Sequence, residues 1–268
     1  MTLHDALIIG TKAIGSHETR LLLSHITGLQ YAQLNSQKPL SQKAYGAFLT
    51  ALNRRKASEP LQYILGTWDF YSLPFITDPR ALIPRPETEL LVEQALAYIN
   101  KQSKPVNVLD LCTGSGCIAV AIAKLSNTRV TATDISHDAL ALASENAKLH
   151  SLDINFIQGD LFENLNAQQF DVIISNPPYI PSNEINQLQA DIQNHEPHLA
   201  LDGGIDGMDI YRRIIPQSLD FLTPGGMLFL EIGPIAVKDI MTNAGYDMIS
   251  VSQDYAKLDR IISAQKSI

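Results

Sequence analysis

Cysteine is scarce in this sequence. Cys112 and Cys117 are the only two in 268 residues, and neither a CxxC pair nor a histidine at ligand spacing accompanies them. The pattern argues against a disulfide framework and a zinc site, and we expect no metal cofactor. No apolar run reaches the roughly 18 residues of a membrane helix, and the N-terminus lacks a signal-peptide pattern. We therefore expect a cytoplasmic protein without membrane contact.

Positive charge is also in short supply, which bears on possible partners. Twenty lysines and arginines stand against 28 aspartates and glutamates, a formal net charge of −8. This balance disfavours a protein held on nucleic acid by charge, and we expect no direct nucleic-acid binding. Residues 1–60 carry seven basic and three acidic side chains, whereas the remainder carries 13 and 25. The split indicates either two modules with different partners or two differently solvated surfaces.

Residues 1–60 are predicted to form a small helical domain, because their apolar residues recur at helical spacing. Serine favours helix starts, glycine favours helix ends, and cations suit the negative end of the helix dipole. The predicted landmarks are caps at Ser16 and Ser41, a stop at Gly28, and a cationic last turn of Arg54, Arg55 and Lys56.

The amino-acid composition changes after residue 60. Residues 61–85 hold aromatics and prolines between short β-prone runs, which predicts a β-hairpin linker. Residues 86–268 alternate strands with helices, which predicts an α/β domain with a mostly parallel sheet. The predicted strands are 106–111, 129–134, 154–158, 170–175 and 226–232. The predicted helices are 86–99, 117–125, 137–149 and 207–222, with turns at 222–226 and, as a flexible surface turn, at 202–207.

A glycine-rich loop follows the first strand of this domain. The string DLCTGSGCIA contains Gly114-x-Gly116-x-x-Ala119, and Asp134 ends the next strand 18 residues after Gly116. Glycines permit a tight turn and close approach of a ligand, and the carboxylate suits ribose hydroxyls. A dinucleotide and S-adenosylmethionine both fit this pattern, as does a strand-to-helix turn without a ligand.

The sequence NPPY follows the strand at 170–175. An amide or amino nitrogen attacks a methyl group poorly, because its lone pair is delocalised. The Asn176 side-chain oxygen and the Pro177 carbonyl can accept both hydrogens of one planar NH2 group, and Pro177 and Pro178 stiffen the backbone. Tyr179 can stack on the substrate. The motif therefore predicts methyl transfer to a planar NH2 group, with catalysis mainly by positioning.

Together these segments resemble the HemK/PrmC family of protein-glutamine methyltransferases. The resemblance lies in EPLQYILG (59–66), IPRPETE (83–89), the DLCTGSGCIA loop, NPPYI and HEPHLAL (195–201). It implies a helical N-terminal domain, a β-hairpin linker and a Rossmann-like, seven-strand, S-adenosylmethionine-dependent methyltransferase domain. The implied substrate is the glutamine of the Gly-Gly-Gln motif in class I peptide-chain release factors, methylated on its side-chain amide nitrogen in support of translation termination.

The resemblance also implies which residues form the site. The cofactor would lie along the glycine loop, with ribose on Asp134 and adenine bordered by Asp160 and Leu161. Cys112 stands where the family usually has glycine, so we expect a modest shift of the cofactor if that position needs a positive φ. The cofactor contacts implied are Cys112, Thr113, Gly114, Ser115, Gly116, Asp134, Asp160, Leu161 and Asn176. The substrate contacts implied are Asn176, Pro177, Pro178, Tyr179, Arg85 and Glu87.

Several alternatives stay open at this point. The same chemistry serves amino groups of DNA or RNA bases and glutamines of ribosomal proteins. The glycine pattern also suits an NAD-dependent oxidoreductase, and a non-catalytic adaptor for release factors is a further class. Glu87 can simply suit the start of a helix, and we expect His195 in a lid rather than in catalysis. We expect a monomer whose residues 1–60 dock an acidic surface of the release factor through Arg54, Arg55 and Lys56.

Overall fold

The computed structural model describes residues 1–166, 168–233 and 237–268. The chain divides into two compact units. The first comprises Met1–Thr67 and Gln189–His195, and the second comprises Trp68–Leu188 and Glu196–Ile268. Within the described residues, no helix is long and apolar enough to cross a lipid bilayer.

The first unit is a helical bundle around a small apolar core. Its helices are α1 (Leu3–Ile14), α2 (Ser16–Thr27), α3 (Gln42–Lys56), α4 (Leu61–Leu65) and the later α8 (Ala190–His195). Leu3, Leu23 and Phe48 are among the buried residues that hold α1, α2 and α3 together. The helical prediction is confirmed.

Helix ends in this unit follow the sequence with one exception. The Ser41 hydroxyl accepts a hydrogen bond from the Ala44 N–H, and Gly28 ends α2 in the left-handed conformation, both as predicted. The prediction that Ser16 caps α2 is wrong. Gly15, at φ +85°, is the cap, and Ser16 is already the first helical residue. Glycine reaches this φ without steric cost, so the turn between α1 and α2 closes one residue earlier.

The cationic end of α3 is partly neutralised within the first unit. Arg54 donates to Glu59 at 2.7 Å, and Arg55 donates to Glu18 at 2.8 Å. Asp191 of α8 lies 3.7 Å from Arg55. The two arginines therefore contribute to the unit's own ion pairs, and a docking role cannot rest on their charge alone.

The second unit begins with the expected hairpin. Strands β1 (Thr67–Phe70) and β2 (Leu73–Ile76) form a two-stranded sheet, and Tyr71 and Ser72 both have positive φ in the turn between them. Phe70 and Phe75 pack edge to face and join the core of the larger sheet. The amide of Asn146 bonds both backbone groups of Ile76, which fixes β2 to a helix of this unit.

A seven-strand sheet forms the centre of the second unit, with the order β5-β4-β3-β6-β7-β9-β8. Strands β3 to β7 are parallel, and β9 runs antiparallel to both of its neighbours. The strands are β3 (Val106–Leu111), β4 (Thr128–Asp134), β5 (Asn155–Gln158), β6 (Phe170–Ser175), β7 (Leu222–Glu231), β8 (Asp247–Gln253) and β9 (Asp259–Gln265). The helices are α5 (Thr88–Ile99), α6 (Cys117–Leu125), α7 (His137–Leu149), α9 (Asp209–Phe221) and α10 (Lys238–Ala244).

This arrangement confirms the predicted α/β class and the predicted elements, with one correction in β7. The segment 222–226, expected as a turn, belongs to the strand. Its pairing with β6 jumps from Phe170–Leu222 to Val172–Met227, so the residues between form a bulge. The glycine at 225 takes φ +77° there, which explains the turn-like sequence.

Strand β3 lies between β4 and β6, which is where the order of the strands reverses. In an open parallel sheet, ligands bind in the crevice outside the carboxyl ends of the strands at such a point. Cys112 and Asn176 directly follow β3 and β6, and Asp134 is the last residue of β4. The topology therefore brings the glycine loop and the NPPY motif to one edge of the sheet.

Candidate active site

A cavity occupies this edge of the sheet. Its walls come from the loops after β3, β4, β5 and β6, from residues 80–88, and from residues 197–202 and α9. The residues expected at the site that line it are Arg85, Cys112, Thr113, Gly114, Ser115, Asp134, Asp160, Leu161, Asn176 and Pro178. Four other expected residues are not among the described residues that line it: Gly116, Pro177, Tyr179 and Glu87.

The two glycines of the loop, Gly114 and Gly116, have different structural roles. Gly114 has φ +55°, and a Cβ there would meet nothing within 4 Å, so the backbone opens onto the cavity. Gly116 has φ +79° and caps α6. A Cβ at Gly116 would lie 2.9 Å from the Cβ of Ala143, so this glycine allows α6 and α7 to pack closely. The absence of Gly116 from the cavity wall follows from this packing.

Asp134 is held in place by backbone donors. Its Oδ2 accepts from the Gly114 N–H at 2.9 Å, and its Oδ1 accepts from the Ser136 N–H at 2.9 Å. Burial raises the pKa of Asp134 above its ordinary value, although the backbone bonds act in the opposite direction. A carboxylate has about four lone-pair sites, so these bonds leave acceptor capacity on a residue that lines the cavity.

Cys112 adopts φ +57°, the conformation that the glycine of the family would favour. Its thiol packs against the core on one side and lines the cavity on the other. Burial raises the pKa of this thiol, so the neutral form predominates. The side chain is accommodated without loss of the left-handed turn.

Asp110 is a buried carboxylate that the sequence analysis did not single out. Its Oδ2 accepts from the Thr113 hydroxyl at 2.6 Å and from the Ala119 N–H at 3.2 Å. Its Oδ1 is buried without a hydrogen-bond partner among the described residues. Burial raises the pKa of Asp110 to about 7. The available signal was an acidic residue inside the apolar run VNVLDL.

The NPPY loop is tied to two residues far away in sequence. The Asn176 Nδ2 donates to the Thr88 Oγ1 at 3.1 Å, and the Thr88 hydroxyl donates to the Glu231 Oε2 at 2.6 Å. The Tyr179 hydroxyl donates to the Glu231 Oε1 at 3.3 Å. Burial raises the pKa of Glu231 to about 6. The Tyr179 ring lies against Gly233, where a Cβ would come within 2.8 Å of the ring.

Comparison with known proteins matches both parts of the chain. Residues 12–66 match the PrmC N-terminal domain, and residues 87–206 match the methyltransferase small domain. A release factor glutamine methyltransferase of Geobacter sulfurreducens is 42% identical over 254 residues, which cover 92% of this chain and 88% of that protein. The chain belongs to the release factor glutamine methyltransferase family. A relative from Thermodesulfovibrio yellowstonii carries the same name and is 38% identical over 97% of this chain and 96% of its own length.

The fold of this family member is similar to that of solved methyltransferases. A Pyrococcus furiosus methyltransferase matches with a TM-score of 0.56 and 17% identity, over 85% of this chain and 100% of the other. A T. thermophilus 16S rRNA N2 G1207 methyltransferase, solved with AdoMet and guanosine, also has a TM-score of 0.56 at 16% identity. That match covers 75% of this chain and 49% of the other. The family resemblance inferred from the motifs is confirmed by the relatives, and the solved structures show the fold.

Two polar contacts shape the rim of the cavity. The buried Glu196 accepts from the Ile83 N–H at 3.1 Å and from Arg85 at 2.6 Å. Arg213 donates to Asp160 at 2.7 Å. His195, expected in a lid, ends α8 in the first unit, whereas its neighbour Glu196 belongs to the second. The exposed Glu87 precedes α5 as its N-terminal cap residue.

The expectation of a flexible surface turn at 202–207 is wrong in one respect, because this segment packs against the NPPY loop. Gly203 donates its N–H to the Ile180 carbonyl, and Ser182 donates its N–H to the Gly204 carbonyl. Gly203 and Gly207 are buried, and a Cβ at Gly203 would lie 2.7 Å from the Tyr179 Cα. Glycine is required here by close backbone approach, which sequence alone does not distinguish from a free turn.

Gly207→Ala is therefore expected to destabilise the protein. At φ +74°, the added Cβ would collide with the Tyr179 carbonyl oxygen. Gly245→Ala is the matched control, because Gly245 has φ +89° and a Cβ there meets nothing within 4 Å. We expect the free energy of unfolding to fall by about 2 kcal/mol more for Gly207→Ala than for the control, measured in urea. Equal losses would show that only the positive φ matters at Gly207.

Proposed function

We propose that this protein transfers a methyl group from S-adenosylmethionine to the glutamine amide nitrogen of the Gly-Gly-Gln motif in class I release factors. The observation that carries the proposal is the meeting of two elements in one cavity. Asn176 and Pro178 line the same space as Gly114 and Asp134. An amide-holding motif thus stands beside a loop suited to a nucleoside, which is the arrangement that methyl transfer to nitrogen requires.

The residues of the glycine loop fit the proposed cofactor. Gly114 leaves open space at the cavity, Asp134 keeps lone pairs for ribose hydroxyls, and Asp110 holds a buried oxygen without a partner among the described residues. Thr113, Gly114 and Ser115, which line the cavity, would hold the amino-acid part. Asp160 and Leu161 would border the adenine. When bound, S-adenosylmethionine supplies an electrophilic methyl group on a cationic sulfur.

The NPPY residues would hold the glutamine amide with its nitrogen toward that methyl group. The Asn176 Oδ1 and the Pro177 carbonyl accept one N–H each, which draws electron density toward the nitrogen and fixes its direction. Prolines limit the backbone, so little ordering is needed on binding. The nitrogen becomes acidic as its bond to carbon forms, and the proton passes to water afterwards. Positioning of this kind is worth up to about 7–11 kcal/mol in favourable cases.

The test uses purified protein, a class I release factor and S-adenosylmethionine, with mass spectrometry of the peptide that contains Gly-Gly-Gln. We expect one added methyl group on the glutamine. A release factor with alanine in place of that glutamine is the control, and it should gain none. An unmodified glutamine would refute the proposal. Methylation of ribosomal proteins in a parallel reaction, with the release factor unmodified, would move the substrate to that class.

We further propose that residues 1–60 dock the release factor, that residues 61–85 link, and that residues 86–268 catalyse. Since Arg54 and Arg55 are paired within the first unit, the docking charge is assigned to its exposed lysines. These are Lys12, Lys38, Lys43 and Lys56. Replacing all four with glutamine should raise KM for the release factor about 10-fold and reduce its salt dependence. The affinity for S-adenosylmethionine should stay unchanged. A KM equal to that of the wild type would favour simple solvation of these lysines.

A further inference from the structure

A buried hydrogen-bond chain joins the NPPY loop to two residues outside it. Thr88 is at the start of α5 and is 2% exposed, and Glu231 is at the end of β7 and is 1% exposed. The Asn176 Nδ2 donates to Thr88 at 3.1 Å, and Thr88 donates to Glu231 at 2.6 Å. We propose that Thr88 and Glu231 are positioning residues that fix which end of the Asn176 amide meets the substrate. This inference rests on the proposed function.

The chemistry of the chain determines its direction. An ionised carboxylate only accepts hydrogen bonds, so the single hydroxyl hydrogen of Thr88 is committed to Glu231. The Thr88 oxygen can then only accept, and the NH2 end of Asn176 is the only end that can donate to it. The Asn176 Oδ1 is thereby left for a ligand.

A flipped Asn176 amide would fail on both sides. Its oxygen would face the Thr88 oxygen at about hydrogen-bond distance, with no hydrogen between the two oxygens. Its NH2 group would face the NH2 group of the substrate. Nothing in the size of an amide distinguishes its two ends, so shape cannot select the productive one. The orientation of the Asn176 amide is selected because Glu231 can only accept hydrogen bonds, which fixes the direction in which the Thr88 hydroxyl donates.

The state of Glu231 depends on the groups that face it. The Tyr179 hydroxyl donates to its Oε1, and the Tyr211 hydroxyl donates to its backbone oxygen at 2.7 Å. Arg260 of β9 favours the ionised form, and Glu87 disfavours it. A protonated Glu231 could itself donate to Thr88, which would free the threonine hydroxyl to bond the Asn176 Oδ1. Methyl transfer should therefore weaken as Glu231 gains its proton on the acid side of neutrality.

The first test compares Thr88→Val with Thr88→Ser. Valine keeps the shape of threonine and removes the hydroxyl, so kcat for methylation of the release factor should fall about 30- to 100-fold. Serine restores the hydroxyl and should return kcat to within about threefold of the wild type. KM for the release factor and Kd for S-adenosylmethionine should change little. Thr223→Val is the matched control, because its hydroxyl also donates to a carboxylate, that of Asp171, and it does not line the cavity.

The second test uses the pH profile of kcat and a second variant. The wild type should lose activity as the pH falls through about 6, the pKa of Glu231. Thr88→Val and Glu231→Gln should lose the part of this acidic limb that Glu231 causes, because neither retains a carboxylate-controlled hydroxyl. Any limb that remains is assigned to the buried Asp110, whose pKa is raised to about 7. The side-chain oxygen of a glutamine at position 231 can still accept a hydrogen bond from Thr88. Glu231→Gln should therefore remain folded and provides a second variant beside Thr88→Val.

The outcomes separate the two proposals. A wild-type protein that does not methylate the Gly-Gly-Gln glutamine would refute the proposed function itself. A wild-type protein that methylates it, with Thr88→Val equally fast or with an unchanged acidic limb in both variants, would overturn only the positioning role of Thr88 and Glu231.

Discussion

Asn176→Ala should lower kcat for methylation of the release factor by about 10³-fold, with the fold intact. The variant removes the oxygen that we propose orients the substrate NH2, and removal of one preorganised hydrogen-bonding group costs about 10²–10³-fold in well-studied enzymes. It also leaves the Thr88 oxygen without its donor, which loosens the substrate loop. Both losses act on the reacting geometry, so the effect should appear in kcat more than in the KM for release factor.

Asn183→Ala is the matched control, because Asn183 is an exposed asparagine in the segment that follows NPPY. It should methylate at the wild-type rate. Circular dichroism and the melting temperature should be the same for both variants within error. An Asn176→Ala protein that retains more than a tenth of the wild-type kcat would show that the Pro177 carbonyl alone can hold the substrate amide.

Asp134→Ala should weaken S-adenosylmethionine binding about 100-fold. A hydrogen bond to a charged acceptor contributes about 1.5–3 kcal/mol, and the carboxylate has lone pairs for ribose hydroxyls. The change also removes the acceptor that holds the Gly114 N–H, so the glycine loop loses its anchor. Calorimetry with S-adenosylmethionine measures the Kd directly.

Asp138→Ala serves as the control for that measurement. Asp138 lies four residues further along, in the first turn of α7, and its side chain is 78% exposed. Its loss should leave the Kd unchanged. If Asp134→Ala bound S-adenosylmethionine within about threefold of the wild type, the ribose assignment of Asp134 would be wrong. Loss of two hydrogen bonds to a charged acceptor should cost more binding free energy than a threefold change in Kd represents.

The part of the site that was predictable lies close to the ends of predicted strands. Strands β3 and β6 are largely apolar runs, and β4 is a β-prone run rich in threonine, so their positions in the sequence locate the edge where Asp134 and Asn176 meet. Parallel strands bring their carboxyl ends together whatever the details of packing. The motifs and the topology thus point to the same place.

The part that was not predictable depends on contacts between distant segments. Thr88 and Glu231 are 143 residues apart in the chain, and each has an ordinary local explanation, in a helix start and in a buried strand. Strands β8 and β9 were not among the predicted strands. In β8 only Ile249 and Val251 alternate with serines, which is too short a pattern to identify a strand. The glycines at 203 and 207 resemble any loop glycines until the Tyr179 backbone is placed against them.

The division of the chain into two units has a consequence for building chimeras. The first unit takes in residues 189–195 as well as the first 67, and the ion pair of Arg55 with Asp191 lies wholly inside it. An exchange of the first unit between relatives must therefore carry two pieces of sequence, one from each side of the NPPY motif. A single cut after the helical region would leave α8 from one parent and its ion-pair partner from the other. Under the docking role proposed for residues 1–60, specificity for the protein substrate would then depend on both segments.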